Sequence, residues 1–333
     1  MLNDRSGTRA LTDNPADVAT DPYLSVIMPV HEGQDWIDAT LRSLAAEPMD
    51  GVEIIAIDSS PGDATAAIIR GYFDRLPIRI IERRDLDRWQ TKTNFGVEQA
   101  RADHVCMLHQ DDVWLPGRIA AVRRWIGSSP SAALHLAPTM IIDRNGRGLG
   151  RWSCPLPAER PLESAFVLER LLVQNFISVL APVFRRDTWL AAGGVDPDLW
   201  YTADWDLWLK LVEVGPVIYH RDVTTGFRVH GSSLTVTGSR NPEDFRSQMQ
   251  TVLDRHVGKI SAESRRRVAP SAKASIAINV SLATAAAGSR KDLMSAAWQI
   301  AALGPVGIMN FLRDTRLKDR VLPRLRARLS GAL

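Results

Sequence analysis

The feature that most limits what this chain can fold into is an alternation within its first third. "YLSVIMPV" (23–30), "VEIIAIDSS" (52–60), "IRIIER" (78–83) and "HVCMLHQDD" (104–112) are short runs dominated by apolar residues. Runs of this kind suit strands covered on both faces, the condition of a central parallel strand. Between them stand "QDWIDATLRSLAAE", "DATAAIIRGYFDRL" and "TKTNFGVEQARA", and in the first of these Trp36, Ile37, Leu41 and Leu44 recur at helical spacing. Repeated strand, helix, strand implies right-handed crossovers, and so an α/β architecture with a mostly parallel central sheet and flanking helices.

Ligands of such open sheets bind beyond the carboxyl ends of the strands. Three of those ends are polar here. The first presents Pro29, His31 and Glu32, the second Asp58, Ser59, Ser60 and Asp63, and the fourth His109, Asp111 and Asp112. Two neighbouring carboxylates repel each other and resist burial, so they either face water or share a cation. A helix cap accounts for one Asp of the pair. It does not account for two, nor for the second acidic strand end.

Further along, the pattern is less regular. A strand and hairpin are expected over "AALHLAPTMIIDRNGR" (132–147) and a helix over "LESAFVLERLLVQ" (162–174). A strand, a short helix, a Gly-rich turn and a second helix follow through 178–215, then a strand and a polar loop over 217–236. From about Asn241 the chain reads as helical, ending in "FLRDTRLKDRVLPRLRARL", where apolar residues alternate with many arginines.

Five blocks in order, "SVIMPVHEG", "EIIAIDSSPGDAT", "NFGVEQARADHVCMLHQDDVWLPGR", "AGGVDPDLWYTADWDLWLKL" and "FRVHGSSLT", resemble the family 2 glycosyltransferases of the GT-A fold. The resemblance spans about residues 23–236 and implies an inverting enzyme, a hexosyl- or deoxyhexosyltransferase. Such an enzyme moves a sugar from a nucleoside-diphosphate-sugar donor, a UDP-sugar first, to a hydroxyl of a glycan, a cell-envelope polysaccharide or a lipid-linked acceptor. The leaving diphosphate needs neutralising, so Mn²⁺ or Mg²⁺ is implied, and hard carboxylate oxygens suit either ion. Asp111 and Asp112 match the family's DxD-type motif, with Trp114 and Pro116 in its continuation. His230 joins them as an implied metal ligand, while Asp111 and Arg228 are also implied near the diphosphate. Pro29, His31, Glu32, Asp58, Lys92 and Asn94 match positions around the donor nucleotide, and Asp204 matches the base that deprotonates the acceptor. Trp200 or Trp205 would stack on an acceptor sugar.

This chain departs from the family pattern in places. Glu32 stands where relatives often have Asn, Ser59 follows Asp58 where a second acid is frequent, and His109 replaces the first carboxylate of a D-x-D-D motif. Those departures leave room for a catalytically silent nucleotide-sugar-binding or scaffold protein. A nucleotidyltransferase would need a Gly-rich phosphate loop after the first strand, which "PVHEGQDW" lacks.

Composition bounds the rest. The net charge of +3 over 333 residues gives no support to a nucleic-acid partner. Cys106 and Cys154 form neither a disulfide framework nor a zinc pattern, which points to a cytoplasmic location. The expected division is a flexible N-terminus (1–22), a catalytic domain (23–240) and a helical extension (241–333). Its basic end, from Asn310, suits peripheral contact with the inner face of the plasma membrane.

Overall fold

A computed structural model describes residues 9–11, 21–231, 241–286 and 292–329. Numbered along the chain, strand β1 is Arg9–Leu11, β2 Leu24–Val30, β3 Val52–Asp58, β4 Ile78–Glu82 and β5 His104–Met107. The intervening helices are α1 (Ile37–Ala45), α2 (Ala64–Arg70) and α3 (Trp89–Gln99). Strands β4, β3, β2 and β5 lie side by side, all parallel. Every residue of β2 and β3 is buried. Alternate side chains divide between two cores: Leu24, Val26 and Met28 join α1's Ile37, Leu41 and Leu44, while Ile27, Ile55 and Ile57 join α3's Val97. The polar intruder in β3, Glu53, is fully buried, and its carboxylate accepts from Ser25 Oγ (2.6 Å), the Arg101 N–H (2.6 Å) and Arg101 Nε (3.1 Å). The N-terminal expectation meets β1, which pairs antiparallel with β4, while residues 1–8 and 12–20 lie outside the described residues.

Beyond β5 the expected parallel sheet becomes mixed. The elements there are β6 (Val113–Trp114), α4 (Arg118–Ser128), β7 (Leu134–Leu136), β8 (Thr139–Ile142), β9 (Gly148–Trp152), β10 (Pro161–Leu162), α5 (Ser164–Val173), β11 (Val183–Arg185), α6 (Arg186–Ala191), α7 (Ala203–Val214), β12 (Val217–Tyr219) and β13 (Thr225–Arg228). The main sheet runs β1-β4-β3-β2-β5-β11-β7-β12-β10, with β11 antiparallel to both neighbours. A second, four-stranded sheet runs β6-β13-β8-β9. It contains a strand, Thr225–Arg228, where sequence alone reads polar loop. Pairing of β13 with β6 and β8 brings Arg228 and His230 to the end of β5.

The C-terminal helices are α8 (Pro242–His256), α9 (Ala262–Ala286), α10 (Leu293–Ala301), α11 (Gly304–Thr315) and α12 (Leu317–Leu329). Asn241 caps α8 by accepting from the Asp244 N–H, with Pro242 at the first helical turn. Phe245, Met249, Val252, Val268, Ala272 and Ile276 share one apolar core with α5 and α7. The basic stretch expected as a single helix is broken at Arg316, whose φ of 47° places it in the left-handed region.

Candidate active site

The loop after β5 is held from several sides. Gln110 Oε1 accepts from the His31 N–H (2.8 Å) and Gln110 Nε2 donates to His31 O (2.9 Å), tying the end of β5 to the end of β2. The Thr40 hydroxyl lies 2.7 Å from the carbonyls of both Gln110 and Asp112. From β13, the Arg228 N–H donates to Asp112 Oδ1 (2.8 Å) and Arg228 Nε to Asp111 O (2.8 Å). Arg228 Nη1 reaches the carbonyls of Asp143 and Arg144. Arg228 is buried, and those acceptors give it a positioning role toward the loop of Asp111 and Asp112. His230 Nε2 lies 2.9 Å from Asp111 Oδ2, and its ring stacks on Trp36 at 4.5 Å.

Electrostatics in this loop favour a cation. His109, Asp111 and Asp112 offer ligand atoms that all lie within 4.8 Å of one another. His230, expected among the ligands, is not part of that group; its Nε2 partners a carboxylate of it instead. Burial pushes the His109 imidazole below its usual range, so it is neutral with a lone pair to offer. Its Nε2 is buried with no hydrogen-bond partner among the described residues. Burial, reinforced by the charge on Asp111, raises Asp112 well above the usual carboxylate range. Burial also pushes Asp111 upward, but the opposing influences, led by the His230 hydrogen bond, leave it low. One charge is thus tolerated and the second resisted, which a divalent ion would reverse. An imidazole and two carboxylates suit Mn²⁺, and less exclusively Mg²⁺.

At the ends of β2 and β3 the expected donor residues converge. Asp58 is buried and accepts from the Ser60 N–H (2.8 Å). Lys92 is no solvated surface charge: it is buried, and its Nζ donates to Val30 O and to Ser59 Oγ, both at 2.8 Å. Burial lowers its ammonium to about 8, against the opposing pull of Asp58 and Asp87. Ser59 Oγ also lies 3.2 Å from His31 Nδ1. Glu32 is exposed, with a left-handed φ of 46°, and its N–H donates to Ser60 Oγ. Pro29 is buried inside β2 instead of standing at the rim. Ile27 O accepts from Leu108 N on the β5 side and Val30 O from Ser59 N on the β3 side. Pro29, two residues past Ile27, therefore faces β5 where its ladder has already ended, and no donor is missed.

Helix α3 links this pole to the start of α7. Its first residue, Trp89, packs against His109 at 5.4 Å, Arg88 donates to Pro197 O, and Gln90 to Leu199 O. Asn94 exchanges two hydrogen bonds with the Val195 backbone (2.7 and 2.8 Å). That clasp engages its carboxamide, so Asn94 shapes the loop before α7. Asp204 opens α7 with part of its surface exposed. Burial raises its carboxyl to about 6, even though Asn175 Nδ2 (3.0 Å) and the Trp205 N–H (2.8 Å) donate to it. Asp206 points away, held by His256 and Lys210. Trp205 is buried with its indole N–H on Leu171 O, and the Trp200 N–H is engaged by Asp244. Trp205 therefore has no face for an acceptor.

Sequence reasoning missed Gln110, Thr40, Trp36 and Asn175. Of these only Trp36, an aromatic just past a polar strand end, stood out in the sequence, and its helical spacing made it look like core.

The fold is of the GT-A type. Residues 25–160 match the profile of glycosyl transferase family 2. A glycosyltransferase of Rickettsia typhi is 23% identical over 231 residues, covering 67% of this chain and 69% of its own. A Mycobacterium tuberculosis protein is 29% identical over 211 residues, covering 60% and 63%. Among solved structures, S. aureus TarS 1–349 in complex with UDP-GlcNAc has a similar fold (TM-score 0.56, 16% identity, 77% of this chain and 71% of that one). So does the mannosyltransferase PcManGT from Pyrobaculum calidifontis, in complex with GDP-Man and Mn²⁺ (TM-score 0.51, 18% identity, 95% and 91%).

Proposed function

We propose that this chain is an inverting glycosyltransferase that moves a hexosyl or deoxyhexosyl group from a nucleoside-diphosphate donor, a UDP-sugar first, to a hydroxyl of a glycan or lipid-linked acceptor. The observation that carries this reading is the group His109, Asp111 and Asp112, with a buried imidazole nitrogen that has no partner among the described residues beside two carboxylates. These three residues would hold Mn²⁺ or Mg²⁺, which when bound supplies the positive charge against which a diphosphate leaves. Arg228 and His230 hold the two carboxylates in place. Lys92 sets a fixed cation beneath the strand ends, and Asp58 orients the nucleotide. Asp204 takes the proton from the acceptor hydroxyl as the nucleotide departs from the opposite face of the sugar, and its raised carboxyl makes it a stronger base than an ordinary aspartate. A cytoplasmic location, with cell-envelope polysaccharide among the products, belongs to the same proposal. The similar folds with UDP-GlcNAc and with GDP-Man and Mn²⁺ support the donor class.

The test is donor hydrolysis by the purified protein across a panel of nucleotide sugars, with Mn²⁺, Mg²⁺ or chelator, beside Asp112→Asn. Release of one nucleoside diphosphate that needs the metal, and falls at least about tenfold in the variant, is expected. Absence of both hydrolysis and donor-induced thermal stabilisation in every metal would leave a silent scaffold as the better reading.

A further inference from the structure

From Leu293 to Leu312 no residue carries a charge. Helices α10 and α11 occupy this stretch, and they dock on the body through Ala296, Phe311 and Thr315. No described residue covers their other face. Met294 is 83% exposed, Trp298 74%, Val306 66% and Met309 65%, and these residues recur at helical spacings of three and four. Exposed apolar residues scattered singly need no explanation, but these are gathered. Leu282, Leu293, Leu312, Leu322 and Leu325 extend the set along the same C-terminal helices, whereas Leu190 and Val214 alone represent the rest of the described residues.

Positive charge follows at once. Arg313, Arg316, Lys318, Arg320, Arg324, Arg326 and Arg328 face only Asp314 and Asp319 in sequence, so the tail alone exceeds the net +3 of the whole chain. Arg316, Lys318 and Arg326 meet Arg151 and Arg221 along an open groove of about 720 Å³. Its one acid, Asp319, is already paired with Arg316 at 2.5 Å.

We propose that α10 and α11 lie on the surface of an anionic lipid bilayer. Met294, Trp298, Val306 and Met309 enter the acyl boundary, and Arg316, Lys318 and Arg326 meet lipid phosphates. An uncharged stretch with exposed apolar side chains that runs straight into a basic one is complementary to an anionic bilayer in chemistry and in charge. A second copy of the chain would bring two basic collars together, so it fits less well. Helices of 9 and 12 residues extend about 14 and 18 Å at ~1.5 Å per residue, each alone too short to cross ~30 Å of hydrocarbon, and the sharp bend after Ala301 suits two segments lying in the interface. This moves the membrane contact from the basic stretch expected in sequence to the uncharged pair before it. The inference does not depend on the donor chemistry.

Vesicle flotation of the full chain tests it. The protein should float with phosphatidylcholine vesicles carrying about a third phosphatidylglycerol, and bind about tenfold or more weakly to phosphatidylcholine alone or in about 0.5 M salt. The triple change Met294→Glu, Trp298→Glu, Met309→Glu should abolish flotation, as should Arg316→Glu, Lys318→Glu, Arg326→Glu, with melting temperature and donor hydrolysis retained. Brominated acyl chains should quench tryptophan fluorescence, and the conservative Trp298→Phe should remove that quenching. No flotation of the unaltered protein on anionic vesicles, or no quenching dependent on Trp298, would overturn the proposal. A lipid-free dimer that the apolar triple change converts to monomer would assign this face to a second copy instead.

Discussion

A carboxyl raised to about 6 is half-protonated at a pH where an ordinary aspartate is fully charged. If Asp204 is the base, kcat/KM for transfer should fall about tenfold per unit below pH 6, and a pH–rate profile measures this directly. Asp204→Asn should lower transfer by about 10² to 10⁴ and remove that acid limb. The stability effect has the opposite sense. Because the folded pKa lies above the unfolded one, the contribution of Asp204 is complete below about pH 4 and is lost as pH rises through about 6. Other residues show how far chemistry can be read from a string of letters. His109 looked like a missing carboxylate, and only the folded loop reveals a neutral imidazole beside two acids. Glu32 looked like an odd substitution for Asn. The backbone there is left-handed, a conformation Asn tolerates and Glu enters at a cost of about 1 kcal/mol.

Helix α3 depends on one small residue. A methyl group added at Gly96 would lie 2.5 Å from Ile27 Cγ2 and 2.7 Å from Ile57 Cδ1, on the central strands themselves. Gly96→Ala should therefore destabilise by about 1–3 kcal/mol despite the better helix propensity of Ala, visible as a lower urea midpoint. It should also displace Lys92 from Val30 O. The parallel half of the sheet was legible because strands covered on both faces must be apolar throughout. The strand expected after residue 178 is β11, but nothing local records that it runs backwards, and β13 was not legible, since four residues polar at both ends leave no period to detect. Arg228 and His230 resembled ligand contacts for the same reason. Only the pairing of β13 with β6 and β8 shows that they support Asp111 and Asp112 from behind.

At the scale of the molecule, the C-terminal helices are welded to the catalytic body by ions as well as by apolar packing. Asp206 on α7 is nearly fully buried, 2.9 Å from His256 Nε2 and 3.0 Å from Lys210 Nζ. Burial works against its charge, yet the His256 hydrogen bond and Lys210 hold it down at about 2. Removing one member of such a buried group leaves the others uncompensated. Asp206→Asn should cost about 3 kcal/mol in denaturant titration, while the native chain unfolds in a single transition because α8 and α9 share the core of α5 and α7. The boundary expected near residue 240 is thus a seam in sequence and not in packing. Helix α3 has the wider consequence. Its Lys92 braces the donor pole, its Trp89 meets His109, and its Gln90 and Asn94 grip the loop that delivers Asp204. If the diphosphate leaves at His109 and Asp204 takes the acceptor proton, one helix would span the two ends of the displacement, and their spacing would be set before either substrate arrives.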